Sequence, residues 1–175
     1  MNASANHWSL DIFELFMQYA ITLVSYVPDA GHSRLLALCE SEPSIRAVSL
    51  TTEEEGVAFA AGAHLGGARS VLLMQSSGVG NCINMLSLLR TCGFPLVTLV
   101  TMRGEWGEFN PWQAPMGQAT PAVLEAMGLV VYRVSTPDEV HETVEAAIQF
   151  AFDSQMGVAV LLSQRLIGAK SFGRK

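Results

Sequence analysis

Three stretches of this 175-residue chain gather side chains that can move protons, donate hydrogen bonds or hold an anion. The first is Thr51-Thr52-Glu53-Glu54-Glu55-Gly56-Val57-Ala58-Phe59-Ala60-Ala61-Gly62, three carboxylates followed by a run of small residues. Acids in a first helical turn are favoured by about 0.3–1 kcal/mol each through the helix dipole, so the cluster needs no catalytic purpose. Glu53, however, falls at a strand-to-helix junction, where a carboxylate beside small residues can meet a planar ligand or a partner backbone and relay a proton. The second stretch, Gln75-Ser76-Ser77-Gly78-Val79-Gly80-Asn81, follows a strand and opens a helix. It lacks the GxGxxG spacing and the Lys-Ser/Thr of phosphate loops, so Gly78 and Gly80 read as a sharp turn against a ligand. Gln75 and Asn81 can bond either that ligand or the loop itself. The third, Arg103 to Gln113, sets two Trp and one Arg in a loop, which suits an anchored lid, an interface patch or a structural anchor.

Other chemistry is poorly supported. His32 and His64 lack the partner spacing of a metal site and read as packing or capping residues. No G-x-S-x-G element is present, and no cysteine stands beside a His relay. Cys39, Cys82 and Cys92 lie in apolar or helical stretches and read as reduced core thiols of a cytoplasmic protein. The net charge of −6 comes with no Lys/Arg cluster, which argues against a nucleic-acid binder. The start, MNASANHW, has no basic and then apolar pattern, so no secretory signal is expected. The uncharged run from Ser70 to Leu89 is long enough for a membrane span, but its Gln, Ser, Gly and Asn residues make it a buried strand, a polar turn and a helix. With half its residues hydrophobic and 15% charged, the chain has the composition of packed α/β layers.

Those layers are what must position the three stretches. Apolar periodicity predicts strands at 21–27, 46–50, 70–74, 95–101, 129–134 and 157–162, alternating with helices at 10–19, 33–40, 56–65, 80–89, 120–127 and 137–152. Pro28-Asp29-Ala30-Gly31 is a turn signal ending the first strand. Thr136 and Glu139 form a capping box around Pro137, and Val140, Val144, Ala147, Ile148 and Ala151 make the buried stripe of the last long helix. The pattern is that of a doubly wound, mainly parallel six-stranded α/β sheet with helices on both faces, whose ligands sit beyond the carboxyl ends of the strands. Residues 170–175 read as a loose tail.

In order and spacing, Val27-Pro28-Asp29, the helix from Glu53 through Ala61-Gly62, Met74 to Asn81, and Arg103-Gly104-Glu105 together resemble the pyrimidine-binding domain of thiamine-diphosphate decarboxylases. The nearest likeness is to sulfopyruvate decarboxylase alpha subunits and the matching half of phosphonopyruvate decarboxylases, over about Leu10 to Ser163. The resemblance implies a single pyrimidine-binding domain over residues 1–169. It also implies a catalytic glutamate bonded to N1′ of the cofactor's aminopyrimidine; counting back from Ala61-Gly62 places it at Glu53, and a one-residue slip at Glu54. Pro28, Gln75, Ser76, Gly78 and Asn81 would border the cofactor, and Arg103 and Gln75 the substrate, with no metal ligand from this chain. The family's other half carries a Gly-Asp-Gly element and an Asn that bind magnesium and diphosphate, and no Gly-Asp-Gly occurs here. The resemblance therefore implies a separate beta subunit holding Mg2+, a hetero-oligomer of alpha-beta pairs, and cleavage of a small anionic 2-oxoacid such as sulfopyruvate or phosphonopyruvate to an aldehyde and CO2. A non-catalytic regulatory domain on the same fold, or a carboligase subunit, are the other readings.

Overall fold

The computed structural model describes residues 8–168; the start of the chain and the tail expected at 170–175 lie outside the described residues. In chain order the elements are α1 (Trp8–Gln18), β1 (Ile21–Tyr26), α2 (Ser33–Ser41), β2 (Arg46–Ser49), α3 (Glu53–Leu65), β3 (Arg69–Gln75), α4 (Ser76–Cys82), α5 (Ser87–Cys92), β4 (Leu96–Thr101), α6 (Ala114–Ala126), β5 (Val130–Val134), α7 (Val140–Ser154), β6 (Gly157–Leu162) and α8 (Gln164–Ile167). The six strands form one sheet in the order β2-β1-β3-β4-β6-β5, and every pairing is parallel.

Every residue of β4 and β6 is buried, as their unbroken apolar runs require of strands covered on both faces. The edge strands are more polar: Arg46 and Ser49 of β2 and Arg133 of β5 are exposed. One core, under α1, α2 and α7, is built on Ile12, Phe16, Leu35, Val71, Leu99, Val144 and Ile148; the other, under α3 to α6, on Val57, Leu72, Met74, Val79, Leu86, Val100 and Leu124. The five stripe residues of α7 are fully buried, and the Glu139 carboxylate accepts from the Ser135 and Thr136 amides at the start of its helix. Large aliphatic side chains buried in this way each contribute about 1.5–3 kcal/mol.

The sequence reading differs from the structure in four places. The polar stretch after β3 is no turn: α4 begins at Ser76, directly after the strand, and breaks at Ile83 before α5 takes over. Glycines weigh against a helix here, yet both are in contact positions. A Cβ on Gly78 would lie 2.3 Å from the Glu53 carboxylate, and one on Gly80 would lie 3.2 Å from the Met116 sulfur. α6 starts six residues earlier than the periodicity suggests, at Ala114, with Pro115 in its first turn, where a missing N–H costs nothing. Cys92 is exposed at the end of α5; Cys39 and Cys82 are buried, and burial pushes both thiols up to about 12, so they stay protonated. Finally, α8 follows β6, where no helix was expected.

Candidate active site

The sheet reverses its winding between β1 and β3, since the chain runs from β1 out to β2 and returns to β3 on the other side. Such a reversal opens a crevice beyond the strand ends. Three of the strands that flank or adjoin it deliver polar residues there: Asp29 after β1, Gln75 at the end of β3, Thr101 and Arg103 at the end of β4.

Asp29 is the point where they meet. Its Oδ1 accepts from Gln75 Nε2 at 2.8 Å and from an Arg103 guanidinium nitrogen at 3.3 Å, while Oδ2 accepts from the Gly31 amide at 2.9 Å and the Thr101 hydroxyl at 2.7 Å. The Asp29 and Arg103 side chains are each 5% exposed. Burial alone would raise the Asp29 carboxyl, but the Thr101 and Gln75 hydrogen bonds and the Arg103 charge hold it below the usual carboxylate range. Gln75 passes the network on, its Oε1 accepting from Ser77 Oγ at 2.7 Å and Gln113 Nε2 at 2.8 Å. Ser76 Oγ accepts from the Arg103 amide at 3.0 Å. Pro28 is exposed at the rim.

His32 lies beneath this network, 1% exposed, with Nε2 3.2 Å from both the Met74 and Leu99 carbonyl oxygens. Two carbonyls demand a donor, so Nε2 carries the proton. Nδ1 is then a bare lone pair, and it is the one fully buried side-chain polar atom without a partner among the described residues. Burial pushes the ring below its ordinary value, against the pull of Asp29 and the two carbonyls, and keeps it neutral.

Glu53 opens α3 and is 8% exposed, whereas Glu54 is exposed and Glu55 turns back to accept from the Thr51 amide at 2.8 Å. Glu53 Oε2 accepts from Asn81 Nδ2 at 2.8 Å, so α4 supplies the residue that orients it. Its Oε1 rests against Gly78, where only a hydrogen in place of a Cβ leaves room. The small residues of α3 divide: Gly56 packs on β3, where a Cβ would lie 2.3 Å from Leu72 Cδ1, while Ala58, Gly62 and Leu65 are exposed and a Cβ on Gly62 would meet no described atom within 4 Å.

The Trp-containing loop is tied down from within. Gln164 Oε1 accepts from the Glu105 and Trp106 amides at 3.1 and 2.9 Å, Gln164 Nε2 donates to Glu108 at 3.0 Å, and Glu105 pairs with Arg133. Burial would raise Glu108, but the amides of Asn110 and Gly104 with Gln164 hold its carboxyl below the usual range. Arg165 stacks on Trp106 at 4.0 Å, and Trp112 is exposed.

The structure thus gathers Gln75, Ser76 and Arg103 into one network and Glu53, Gly78 and Asn81 into a second, joined through α4. From sequence Asp29 is read only as part of a turn and of the family resemblance, and Gln113 only as part of the Trp loop, while Thr101 and Gln164 have no role there. For Asp29 a signal existed, because Asp two residues before Gly after Pro is an Asx-turn pattern.

The architecture is the fold of thiamine-diphosphate-dependent enzymes. It superposes with a TM-score of 0.74 on a putative thiamin diphosphate-dependent enzyme from Mycobacterium smegmatis, at 17% identity, covering 96% of this chain and 32% of that one. A 2-oxoglutarate:ferredoxin oxidoreductase from Magnetococcus marinus gives 0.72 at 14% identity, over 91% of this chain and 29% of the other. Within that fold the sequence is specific. The chain is 32% identical over 152 residues to the sulfopyruvate decarboxylase alpha subunit of Methanococcus maripaludis, covering 86% of this chain and 91% of that subunit. It is 36% identical over 137 residues to that of Methanothermobacter thermautotrophicus, covering 78% and 83%. A phosphonopyruvate decarboxylase of Streptomyces viridochromogenes is 33% identical over 84% of this chain and 38% of its own length. No family model matches. The chain belongs to the family of sulfopyruvate decarboxylase alpha subunits. No described helix is long and apolar enough to cross a membrane.

Proposed function

We propose that this chain is the pyrimidine-binding subunit of a two-subunit, thiamine-diphosphate-dependent decarboxylase of the cytoplasm, acting on a small anionic 2-oxoacid such as sulfopyruvate. The observation that carries the reading is Glu53: a carboxylate at a strand-to-helix junction, largely buried, oriented by Asn81 and facing a glycine. Those features fit the pyrimidine end of the cofactor, which supplies the electron sink when bound. Among the described residues Glu53 Oε1 has no hydrogen-bond partner and is free to share a proton with a ring nitrogen, while Asn81 keeps Oε2 turned inward. Gln75, Ser76 and Pro28 would border the cofactor at the strand ends, and Arg103 is a buried cation beside Asp29, suited to the substrate's anionic group.

A second subunit is supported on two grounds. The relatives matched end to end are named as alpha subunits, whereas the sulfopyruvate decarboxylase of Methanosarcina acetivorans matches 89% of this chain with only 40% of its own length. More than half of that longer protein thus lies beyond the part this chain supplies. A beta subunit with Gly-Asp-Gly and Asn would provide that half and its Mg2+, meeting the uncovered face of α3.

Glu53→Gln keeps the size and the Asn81 contact but cannot relay a proton. In the complex with the beta subunit it should leave assembly intact and lower turnover by about 10²–10⁴-fold, the usual share of a positioned acid or base. Unchanged turnover with intact assembly would overturn the role of Glu53.

A further inference from the structure

Arg103 is not simply available to a substrate, because part of it is already taken. One guanidinium nitrogen donates to Asp29, and the remaining N–H groups meet no acceptor among the described residues. Arg103 also lines a small, partly open hollow of about 70 Å³ together with Ala30, Gly31, Ile167 and Gly168. A water occupies about 30 Å³ of liquid, so the hollow has room for roughly two, the scale of a tetrahedral oxyanion head group. The cation at its wall has a side chain 5% exposed, and a charge so placed loses little to solvent screening.

Asp29 is built to aim this cation and not to oppose an anion beside it. Both its oxygens are filled by two donors each, from β1's own turn, β3 and β4, and its side chain is not among the walls of the hollow. Gly31 is held to the same purpose: a Cβ there would lie 2.7 Å from Asp29 Oδ2 and from Thr101 Cγ2. The carboxylate therefore fixes the guanidinium in one orientation while leaving its other edge free, the preorganisation that a fork-shaped donor needs to select a sulfonate or phosphonate.

We propose that the hollow beside Arg103 seats the tetrahedral anionic group of the oxoacid, and that Asp29 is the positioning residue that sets the enzyme's preference for it. This rests on the decarboxylase reading above, and the two can fail separately. The first measurement needs no catalysis: titration of the full-length, 15N-labelled chain with methanesulfonate, following the backbone amide of Gly31, which lines the hollow. A saturable shift is expected, abolished by Arg103→Gln and weakened about 10-fold or more by Asp29→Asn, whose amide leaves two of the four donors facing a donor. A shift that never saturates, or one that Asp29→Asn leaves unaltered, overturns the proposal. The second is selectivity in the complex with the beta subunit. Asp29→Asn should raise KM for sulfopyruvate about 10-fold or more while changing that for pyruvate, which has no second anion, far less, and in a chain already carrying Arg103→Gln it should bring no further loss of selectivity. An equal loss on both substrates would mark Asp29 as merely structural. Should Asp29→Asn fail to fold, Thr101→Val removes one donor from the carboxylate while keeping the strand's shape, and a smaller loss of selectivity in the same direction is expected; none would overturn the proposal. An inactive wild-type complex with saturable methanesulfonate binding would instead remove the decarboxylase reading and leave the anion site standing.

Discussion

At the scale of the residue, one position separates Glu53 from two chemically identical neighbours. Glu54 points to solvent and Glu55 caps the helix start, leaving only Glu53 buried against Asn81 and Gly78. Gly78→Ala would place a methyl 2.3 Å from its carboxylate, so the side chain must move. The variant should fold with a penalty of about 1–3 kcal/mol, typical of overpacking, and lose activity as Glu53→Gln does; wild-type activity would show that the glycine is not what holds Glu53 in place. His32 gives a pH signature. Its ring titrates lower in the folded chain than in the unfolded one, whose value is about 6.5, so below that pH the unfolded state takes up a proton the folded state refuses. Stability is therefore complete above about pH 6.5 and declines as the pH falls from there toward the folded value. Thermal melts at about pH 7.5 and about pH 5.5 should show wild type losing stability in acid and His32→Gln losing less; equal losses would contradict the buried neutral ring.

At the scale of the element, α3 has two faces with opposite expectations. Gly56→Val should destabilise the chain by about 1–3 kcal/mol in urea unfolding, because Leu72 already occupies the space of a Cβ. Gly62→Ala meets no atom within 4 Å and should stabilise the isolated chain by up to about 1 kcal/mol through helix propensity, yet weaken association with a beta subunit if that face is docked. Much of this was legible in sequence. Six alternating strands followed from apolar runs and the packing of α7 from its cap and stripe, whereas the choice of Glu53 over Glu54 rested on counting back from Ala61-Gly62 within the family resemblance. What escaped were features decided by tertiary contact: the start of α4, where glycines that disfavour a helix are required by Glu53 and Met116, and the early start of α6, where Gly117 brings the helix against the Arg103 carbonyl. The Asp29 network escaped for a related reason, since its donors come from three strands far apart in the chain. The exposure of Cys92 likewise depends on where α5 ends and not on the apolar residues around it.

At the scale of the whole molecule, the apolar surface left uncovered is uneven. Leu65 on α3 is 88% exposed and Trp112 on the loop 68%, while the sheet itself is covered on both sides. The chain supplies a buried carboxylate, a polar wall and a cation at the strand ends, but no recognisable Gly-Asp-Gly for a diphosphate and its metal. On the proposed reading its site is half of one. The most direct test is CO2 release from sulfopyruvate by the purified chain, by a beta subunit carrying Gly-Asp-Gly, and by the two mixed, each with and without thiamine diphosphate and Mg2+. Neither chain alone should release CO2, and the mixture should do so only with the cofactor present. Cofactor-dependent turnover by this chain alone, or a stable mixed complex that cleaves no 2-oxoacid, would contradict the shared-site account.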